Sequence, residues 1–266
     1  MPPSNDLQGL TVMVTRPAHQ ARALCEMIES RGGHVICFPV LEIADVEDPG
    51  PVAAQIGRLH AYDIGIFVSA NAVAKGVPMV LARRPWPAHT RIAAIGERTG
   101  RELENHGLRV DIRPVGGYNS ESLLAAGELH AVGGKNVIIF RGQGGRELLA
   151  QTLAQRGAHV DYAEVYRRVR PAARLGEALQ AHPFPDIIVI TSGEGLENLH
   201  AMADEGERAR LLATPLLVIS QRIGETARAL GFTQPPVVSG QASDEGIVEA
   251  IRDWWAGNKN AEQTLQ

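Results

Sequence analysis

The sequence predicts an α/β protein made of two similar lobes, each a parallel sheet flanked by helices. One observation is that short β-branched runs alternate with segments of helical periodicity along most of the 266 residues. This alternation is typical of parallel sheets covered by helices on both faces. The second observation is an internal repeat, which predicts that one α/β unit occurs twice.

The internal repeat is clearest where residues 11–35 are placed over residues 136–160, at an offset of 125. The two segments then match in their apolar positions and in their last residues, RGGHV and RGAHV, and Arg16 aligns with Arg141. They read TVMVTRPAHQARALCEMIESRGGHV and NVIIFRGQGGRELLAQTLAQRGAHV. Two further pairs of segments continue the repeat: 62–73 with 185–196, and 91–108 with 215–232. Similarity at so steady a spacing favours duplication over chance.

Five strands are predicted in each copy, because short β-branched runs recur there between helical segments. In the first copy they are 11–15, 34–43, 63–68, 91–95 and 110–113, and in the second 136–140, 159–168, 186–191, 215–219 and 236–239. The helices between and after them include 18–31, 97–106, 144–156, 193–203, 221–230 and 243–255. Gly32 and Gly157 suit the position just past a helix end. Trp254 and Trp255 are expected to seal the last helix against a sheet, and residues 257–266 to form a polar, frayed tail.

The composition is that of a soluble globular protein, with 44% apolar and 21% charged residues. The net charge of −4 argues against a general nucleic-acid binder, which needs a basic face. No apolar run approaches the ~20 residues that span a bilayer, so no membrane partner is predicted. We also expect no signal peptide, reduced core thiols at Cys25 and Cys37, and a cytoplasmic location.

The segment NVIIFRGQGGRELL (136–149) runs from a buried strand through glycines into a helix, as nucleotide-binding loops do. Gly142 and Gly144 fit the start of a dinucleotide fingerprint, but its third glycine position is occupied by Glu147. The lysine and hydroxyl residue that end a P-loop are also missing, since Gly145 is followed by Arg146 and Glu147. The matching corner of copy one, TRPAHQAR, has no glycine. A nucleotide site is therefore disfavoured.

Both copies keep an arginine at the carboxyl end of this strand, Arg16 and Arg141. Ligands of open α/β sheets bind at the carboxyl ends of strands, where helix N-termini present free amides to anions. An arginine there adds a bidentate grip on a carboxylate. The pattern indicates an anion-receiving corner, with the alternative that both arginines only cap carbonyls or pair with acids. Small and hydroxyl residues end other strands as well, in VSAN (68–71) and ITSGEG (190–195).

The sequence lacks the patterns of metal and nucleophile sites. Its nine histidines show no metal-binding spacing, and no G-x-S-x-G elbow occurs. We therefore predict no metal and no cofactor. An enzyme with this inventory would act through positioning, hydrogen bonds and one weak acid.

Several segments together resemble the uroporphyrinogen-III synthase family, over about residues 8 to 255. They are VTRP (14–17), SRGGHVICFPVLEI (30–43), FVSANAV (67–73), IAAIGERTG (92–100), IIFRGQGGRELLAQTLAQRGAHVDYAEVYRR (138–168), ITSGEGLENL (190–199) and ISQRIGETARALGF (219–232). No one of them is decisive alone. The corner R-G-x-x-G-R-x-x-L (141–149) followed by V-Y-x-x (165–168) is fairly specific in combination.

The resemblance implies two α/β lobes joined by a two-stranded ladder, with a crossed chain. Lobe one would comprise residues 1–37 plus 169–256, and lobe two residues 41–165. The repeat by itself would have placed two consecutive halves on either side of residue 130 or so. We follow the resemblance in the predicted boundaries.

The activity implied by the resemblance is cyclisation of the linear tetrapyrrole hydroxymethylbilane to uroporphyrinogen III, with inversion of ring D and loss of water. The reaction would take place in a cleft between the lobes and need no cofactor. The partners implied are this small-molecule substrate and, transiently, the upstream enzyme that forms the bilane.

Tyr166 matches the family tyrosine that is thought to donate a proton or hydrogen bond to the leaving hydroxyl. The alternative is a tyrosine packed at the hinge. Thr99 matches a family threonine in the cleft, with a helix-start hydroxyl as the alternative. Its counterpart in the other lobe is Ile223, so this chain departs from a symmetric pair of hydroxyls, and Thr226 lies one helical turn further on.

The substrate carries many carboxylates. The resemblance implies that residues at the strand ends of both lobes bind them. The candidate contacts are Arg16, Ser69, Ala70, Asn71, Thr99, Arg141, Arg146, Thr191 and Ser192. Three rival interpretations stay open: a two-lobed sensor that binds an anionic metabolite without catalysis, a nucleotide-dependent enzyme, and a structural scaffold.

Overall fold

The computed structural model describes residues 5–180 and 182–264. The chain divides into two compact units. Unit 1 comprises Met1–Glu42 and Val169–Gln266, and unit 2 comprises Ile43–Arg168. Each unit contains one five-stranded sheet, so the predicted α/β class is confirmed.

The described residues form ten strands. In chain order they are β1 Thr11–Val14, β2 His34–Cys37, β3 Glu42–Ala44, β4 Ile64–Phe67, β5 Arg91–Ala94, β6 Asn136–Gly142, β7 His159–Val169, β8 Ile187–Ile190, β9 Leu216–Val218 and β10 Val237–Val238. The first sheet has the order β10-β9-β8-β1-β2, and its strands are parallel. The second has the order β3-β7-β6-β4-β5, with β7, β6, β4 and β5 parallel. The chain passes between the units within β3 and at the end of β7, and these two strands are neighbours, which is the predicted two-stranded ladder.

Eleven α-helices accompany these strands in the described part of the chain. They are α1 Ala18–Glu29, α2 Gly50–Gly57, α3 Ala70–Leu81, α4 Glu97–Asn105, α5 Ser120–Leu124, α6 Leu148–Gln155, α7 Leu175–Leu179, α8 Gly193–Met202, α9 Glu205–Ala213, α10 Gln221–Ala229 and α11 Asp244–Thr264. Gly32 and Gly157 follow α1 and α6 with φ of +84° and +85°, which confirms the helix-end positions predicted for them. No helix among the described residues combines the length and the apolar character that a bilayer crossing requires.

Each sheet has an apolar core on both faces, because successive side chains of a strand point to opposite sides. In unit 1, Val12 and Val14 face α1 and α11, whereas Met13 faces α8 and α10. In unit 2, Phe67 and Phe140 stack against each other beside α3, with ring centroids 4.5 Å apart. Strands buried on both faces need continuous apolar runs, which is why the sequence pattern located them.

Two predicted strands and two predicted helix ends differ from the structure. The run 34–43 is interrupted after Cys37, since Pro39 has no amide to give the ladder, and 110–113 contributes only an isolated bridge between Ala93 and Ile112. Helix α6 begins at Leu148 and not at residue 144, because Gly144 and Gly145 take φ of +70° and +103°. Helix α11 continues through residues 257–264, where a frayed tail was expected, and residues 265–266 lie outside the described part.

The two tryptophans of α11, Trp254 and Trp255, pack against the core cluster on the α1 face of the first sheet, as predicted. The prediction of two core thiols is only half right. Cys25 is buried, but Cys37 is exposed because β2 is an edge strand on which only Ile36 is buried. Both thiols are free, and their Sγ atoms lie 3.0 Å apart.

Cys25 and Cys37 are therefore expected to differ in reactivity. Burial, followed by the hydrogen bond with Cys37, raises the pKa of the Cys25 thiol to about 12. Since the thiolate is the nucleophile, iodoacetamide at pH 8 should modify Cys37 and spare Cys25 in the folded protein. Peptide mass spectrometry measures both sites, with urea-unfolded protein as the control in which both react. Equal modification of the two thiols in folded protein would contradict the burial described here.

Candidate functional site

A cavity of about 360 Å³ lies in unit 2 at the carboxyl ends of β4, β5, β6 and β7. Parallel strands bring the residues that follow them to one edge of the sheet, which is where ligands of open α/β sheets bind. The polar and aromatic side chains that line it are Ser69, Tyr118, Asn119, Ser120, Arg141, Arg146, Tyr162, Tyr166 and Arg168. Four of these, Ser69, Arg141, Arg146 and Tyr166, are residues that the sequence predicted for the site.

Tyr166 is held in the cavity wall by an irregularity between β6 and β7. The register pairs Arg141 with Glu164 but Gly142 with Tyr166, so β7 has one residue more than β6 at this point. Such a bulge changes the direction of the side chains that follow it. The Tyr166 ring then lies directly against Gly142, where an added Cβ would come within 2.5 Å of Cε2. Only glycine leaves room for this ring, which is 4% exposed.

The hydroxyl of Tyr166 lies 3.3 Å from Oγ of Ser69, and either group can donate. Ser69 is the N-cap of α3, and its Oγ also accepts a hydrogen bond from the amide of Ala72 at 3.0 Å. Ala70 and Asn71 form the first turn of this helix, where the helix dipole favours negative charge. The phenol of Tyr166 therefore lies next to a helix N-terminus suited to an anion.

Arg141 is buried, 5% exposed, and every described contact of its guanidinium is internal. Nε donates to the carbonyl of Gly142 at 3.2 Å, Nη2 donates to the carbonyl of Gly144, and Nη1 pairs with Oε1 of Glu147 at 3.0 Å. The guanidinium also stacks on the ring of Tyr162, at 4.4 Å from its centroid. These are the contacts of the alternative interpretation, in which the arginine caps carbonyls and pairs with an acid.

Glu147 accepts hydrogen bonds at both carboxylate oxygens, from Arg141 at Oε1 and from the hydroxyl of Tyr162 at Oε2. The bond from Tyr162, followed by that from Arg141, holds the pKa of Glu147 below its usual range. Burial, followed by the same bond to Glu147, raises the pKa of Tyr162 to about 12. The carboxylate thus stays charged and the phenol stays neutral at physiological pH.

Two further arginines line the cavity from exposed positions. Arg146 forms an ion pair with Glu121 of α5 across the surface. The pKa of Glu121 is lowered by a hydrogen bond from the backbone of Glu121 and then by the bond from Arg146. Arg168 is an exposed residue near the end of β7. Exposed cations of this kind can exchange a surface partner for an anionic ligand at little cost, because surface pairs are weak.

The remaining predicted residues lie elsewhere. Arg16 belongs to unit 1, where it is ion-paired with Asp244 at the start of α11. Thr191 and Ser192 also belong to unit 1, and Ser192 caps α8 by accepting from the amide of Gly195 at 3.0 Å. Their roles as substrate contacts stay predictions.

Thr99 is buried on α4 in unit 2 and does not line the cavity. Its counterpart Ile223 is buried on α10, as an apolar side chain should be. Thr226 returns its hydroxyl to its own helix, donating to the carbonyl of Arg222 at 3.1 Å. The hydroxyl of Thr226 is therefore engaged within α10.

Sequence reasoning missed five of the polar and aromatic lining residues: Tyr118, Asn119, Ser120, Tyr162 and Arg168. Tyr118 is 71% exposed on a loop that follows Gly116 and Gly117, so the run GGYN was an available signal of an exposed aromatic. Tyr162 and Arg168 are placed by the length and bulge of β7, for which the local pattern holds no signal. Within residues 5–180 and 182–264, no group of three or more His, Cys, Asp or Glu side chains is arranged to hold a metal ion.

The fold and the cavity define a class: a two-unit α/β protein whose polar groups gather at the carboxyl ends of parallel strands. A family model described as uroporphyrinogen-III synthase HemD matches residues 22–249. The chain therefore belongs to the uroporphyrinogen-III synthase family, and the resemblance drawn from its motifs is confirmed.

Similar proteins agree with this assignment. The uroporphyrinogen-III synthase of Salmonella typhimurium is 33% identical over 91% of this chain and 100% of its own length. The enzyme of the same name from Escherichia coli is 31% identical over the same shares. Among solved structures, a mutant uroporphyrinogen III synthase of Thermus thermophilus superposes with a TM-score of 0.62. It covers 96% of this chain and 100% of its own at 21% identity, which supports the fold.

The close approach of Gly142 to Tyr166 generates a prediction. Gly142→Ala should lower the free energy of unfolding by about 1–3 kcal/mol, the usual cost of overpacking, because the buried ring has to move. Urea denaturation measures it. The matched control is Gly193→Ala, where an added Cβ meets nothing within 4 Å and stability should be unchanged or slightly higher. If the two variants unfold alike, the packing described for Tyr166 is wrong.

Proposed function

We propose that this chain cyclises hydroxymethylbilane to uroporphyrinogen III, inverting ring D and releasing water. Family membership supports the reaction. The observation that carries its chemistry is the Tyr166 phenol, 3.3 Å from Ser69, in a cavity at the strand ends of unit 2. A cytoplasmic location and transient contact with the upstream bilane-forming enzyme stay predictions.

The first step we propose is loss of the terminal hydroxyl of the substrate. The electron-rich pyrrole that carries the hydroxymethyl group expels it, and a proton is needed so that it leaves as water. Tyr166 is the donor that we assign to this step, since a phenol O–H can donate a proton or a hydrogen bond. The hydroxyl of Ser69 can either accept a hydrogen bond from the phenol or donate one to it. The step leaves an azafulvene, which is the electrophile for ring closure.

The second step forms a carbon–carbon bond between the azafulvene carbon and the substituted carbon of ring D. We propose that a spiro intermediate then rearranges, so that ring D is inverted in the product. The bilane can close unaided to the isomer without inversion, so the contribution of the protein is orientation. Orientation of intramolecular reactions can contribute up to ~7–11 kcal/mol, far more than selection between isomers requires.

The groups that we propose for holding the carboxylates are the first turn of α3 and the exposed cations Arg146 and Arg168. Ala70 and Asn71 begin this turn, directly after the N-cap residue Ser69. A cavity of about 360 Å³ is near the lower end of the ~300–1,000 Å³ of small-molecule sites. We infer that it holds one end of the four-ring substrate. Arg16, Thr99, Thr191 and Ser192 stay candidate contacts for the rest.

The isomer of the product tests the proposed function. Freshly made hydroxymethylbilane should give uroporphyrinogen III with the protein and uroporphyrinogen I without it, resolved by chromatography after oxidation. Only the type I isomer in both samples would reject the proposal and favour the rival interpretation, a sensor that binds an anionic metabolite without catalysis.

Tyr166→Phe tests the proposed donor. Loss of the phenol should lower kcat by about 10²-fold, the lower range for a general acid, with little change in KM. Steady-state assays of the type III product measure both constants. The matched control is Tyr62→Phe, which removes another buried tyrosine hydroxyl of unit 2, bonded to Asp161 and outside the cavity. Wild-type turnover in Tyr166→Phe would remove this residue from the chemistry.

A further inference from the structure

We infer that Glu147 is a positioning residue, which acts on Tyr166 through the glycine loop of residues 142–147. The inference rests on the proposed role of Tyr166 as the donor. It assigns to Arg141 a structural function, that of anchoring Glu147, in place of the direct contact with substrate that the sequence predicted.

The glycine loop needs to be fixed from outside, because little of its own packing holds it. Its residues 143–147 are exposed, and Gly144 and Gly145 take the left-handed backbone conformation. Yet the first residues of the loop set the place of Tyr166. Gly142 lies against the phenol ring, and the amide of Gln143 donates to the carbonyl of Tyr166 at 2.8 Å. Any drift of the loop is therefore transmitted to the phenol.

Glu147 closes this loop at its far end. One carboxylate oxygen binds Arg141, the residue just before the loop, and Arg141 in turn binds the carbonyls of Gly142 and Gly144. The other oxygen binds the hydroxyl of Tyr162, which lies on β7 four residues before Tyr166. The carboxylate thus joins both ends of the loop to the strand that carries the phenol.

A carboxylate offers a separate acceptor oxygen to each of the two bonds and a negative charge to the guanidinium. The two partners, a guanidinium N–H and a phenol O–H, are both donors here. A glutamine at position 147 has the same shape, but it would offer one acceptor and one amide donor. The negative charge opposite the buried guanidinium of Arg141 would then be lost, and the hydroxyl of Tyr162 would have to reverse its role and accept from the amide.

The kinetic test compares Glu147→Gln with Glu128→Gln. The control removes an exposed carboxylate of unit 2 that pairs with Arg91 and touches neither the loop nor the cavity. We expect Glu147→Gln to lower kcat about ten-fold with KM nearly unchanged, the effect of losing a charge-assisted hydrogen bond that orients the donor. A lower KM at unchanged kcat would show that Glu147 only neutralises Arg141, and it would overturn the inference.

Dependence on Tyr166 is tested by combining the substitutions. If Glu147 acts through the phenol, Glu147→Gln should have almost no further effect on kcat in a Tyr166→Phe background, because contacts in one network are not additive. Additive losses would overturn the inference, since Glu147 would then act on another group.

A readout without substrate separates this inference from the proposed function. The chain has four tyrosines, so 3-fluorotyrosine labelling gives four ¹⁹F resonances, and Tyr166→Phe and Tyr62→Phe assign two of them. Glu147→Gln should shift the Tyr166 resonance and leave that of Tyr62 in place, whereas Glu128→Gln should shift neither. A Tyr166 resonance unmoved by Glu147→Gln would overturn the inference whatever isomer the enzyme makes. A type I product from wild-type protein would instead reject the proposed function.

Discussion

The wall of the cavity depends on the extra residue of β7 at the bulge opposite Arg141 and Gly142. In an unbroken register Gly142 would meet Val165, but the structure pairs it with Tyr166. Because strand side chains alternate between faces, a shift of one residue changes which side chain faces a given point of the partner strand. The bulge therefore lets two neighbouring residues serve different needs: Val165 stays in the apolar core, and Tyr166 brings its hydroxyl to the cavity.

The buried guanidinium of Arg141 lies beside this bulge, and its removal from water costs free energy that neighbouring groups have to offset. A charged group taken out of water is costly unless it is paired and hydrogen-bonded. Arg141 is fully engaged, with two carbonyls, one carboxylate and an aromatic face. A cation so compensated gives little net attraction to a further anion. In the proposed function, electrostatic recognition at the cavity consequently depends on the exposed arginines Arg146 and Arg168 and on the N-terminus of α3.

The sequence predicted the architecture well, because the strands are buried on both faces and so are written as apolar runs. It also named Arg141 and Tyr166, which both line the cavity, while the catalytic role of Tyr166 stays a prediction. What it could not supply are contacts between residues far apart in the chain. Arg16 is paired with Asp244, 228 positions away, and no local pattern announces such a partner. The start of α6 was predicted too early for a different reason. The apolar spacing favoured a helix from residue 144, but Gly144 and Gly145 have positive φ and cannot be helical.

Sheet order also explains what the repeat left undecided. The strands β1 and β2 of the first copy lie beside β8, β9 and β10 of the second, while β6 and β7 lie beside β4 and β5. Each sheet therefore has the same order of equivalent strands although neither is built from one copy alone. An internal repeat shows which segments are alike. It does not show whether a strand pairs with the neighbouring strand of its own copy or with the equivalent strand of the other copy. That choice depends on the lengths and paths of the connections, here on β3 and β7, which carry the chain across.

The two copies have also diverged in chemistry at the same corner. At the offset of 125 that aligns Arg16 with Arg141, Tyr162 falls on Cys37 and Tyr166 falls on Leu41, which is buried. In copy one, Pro17 leads straight into α1, so no loop forms and Arg16 finds its acid on α11. In copy two, the glycines create a loop that brings its own acid, Glu147. Both copies neutralise the arginine, but only the second adds a phenol, so the chemistry that we propose uses one copy of a duplicated fold.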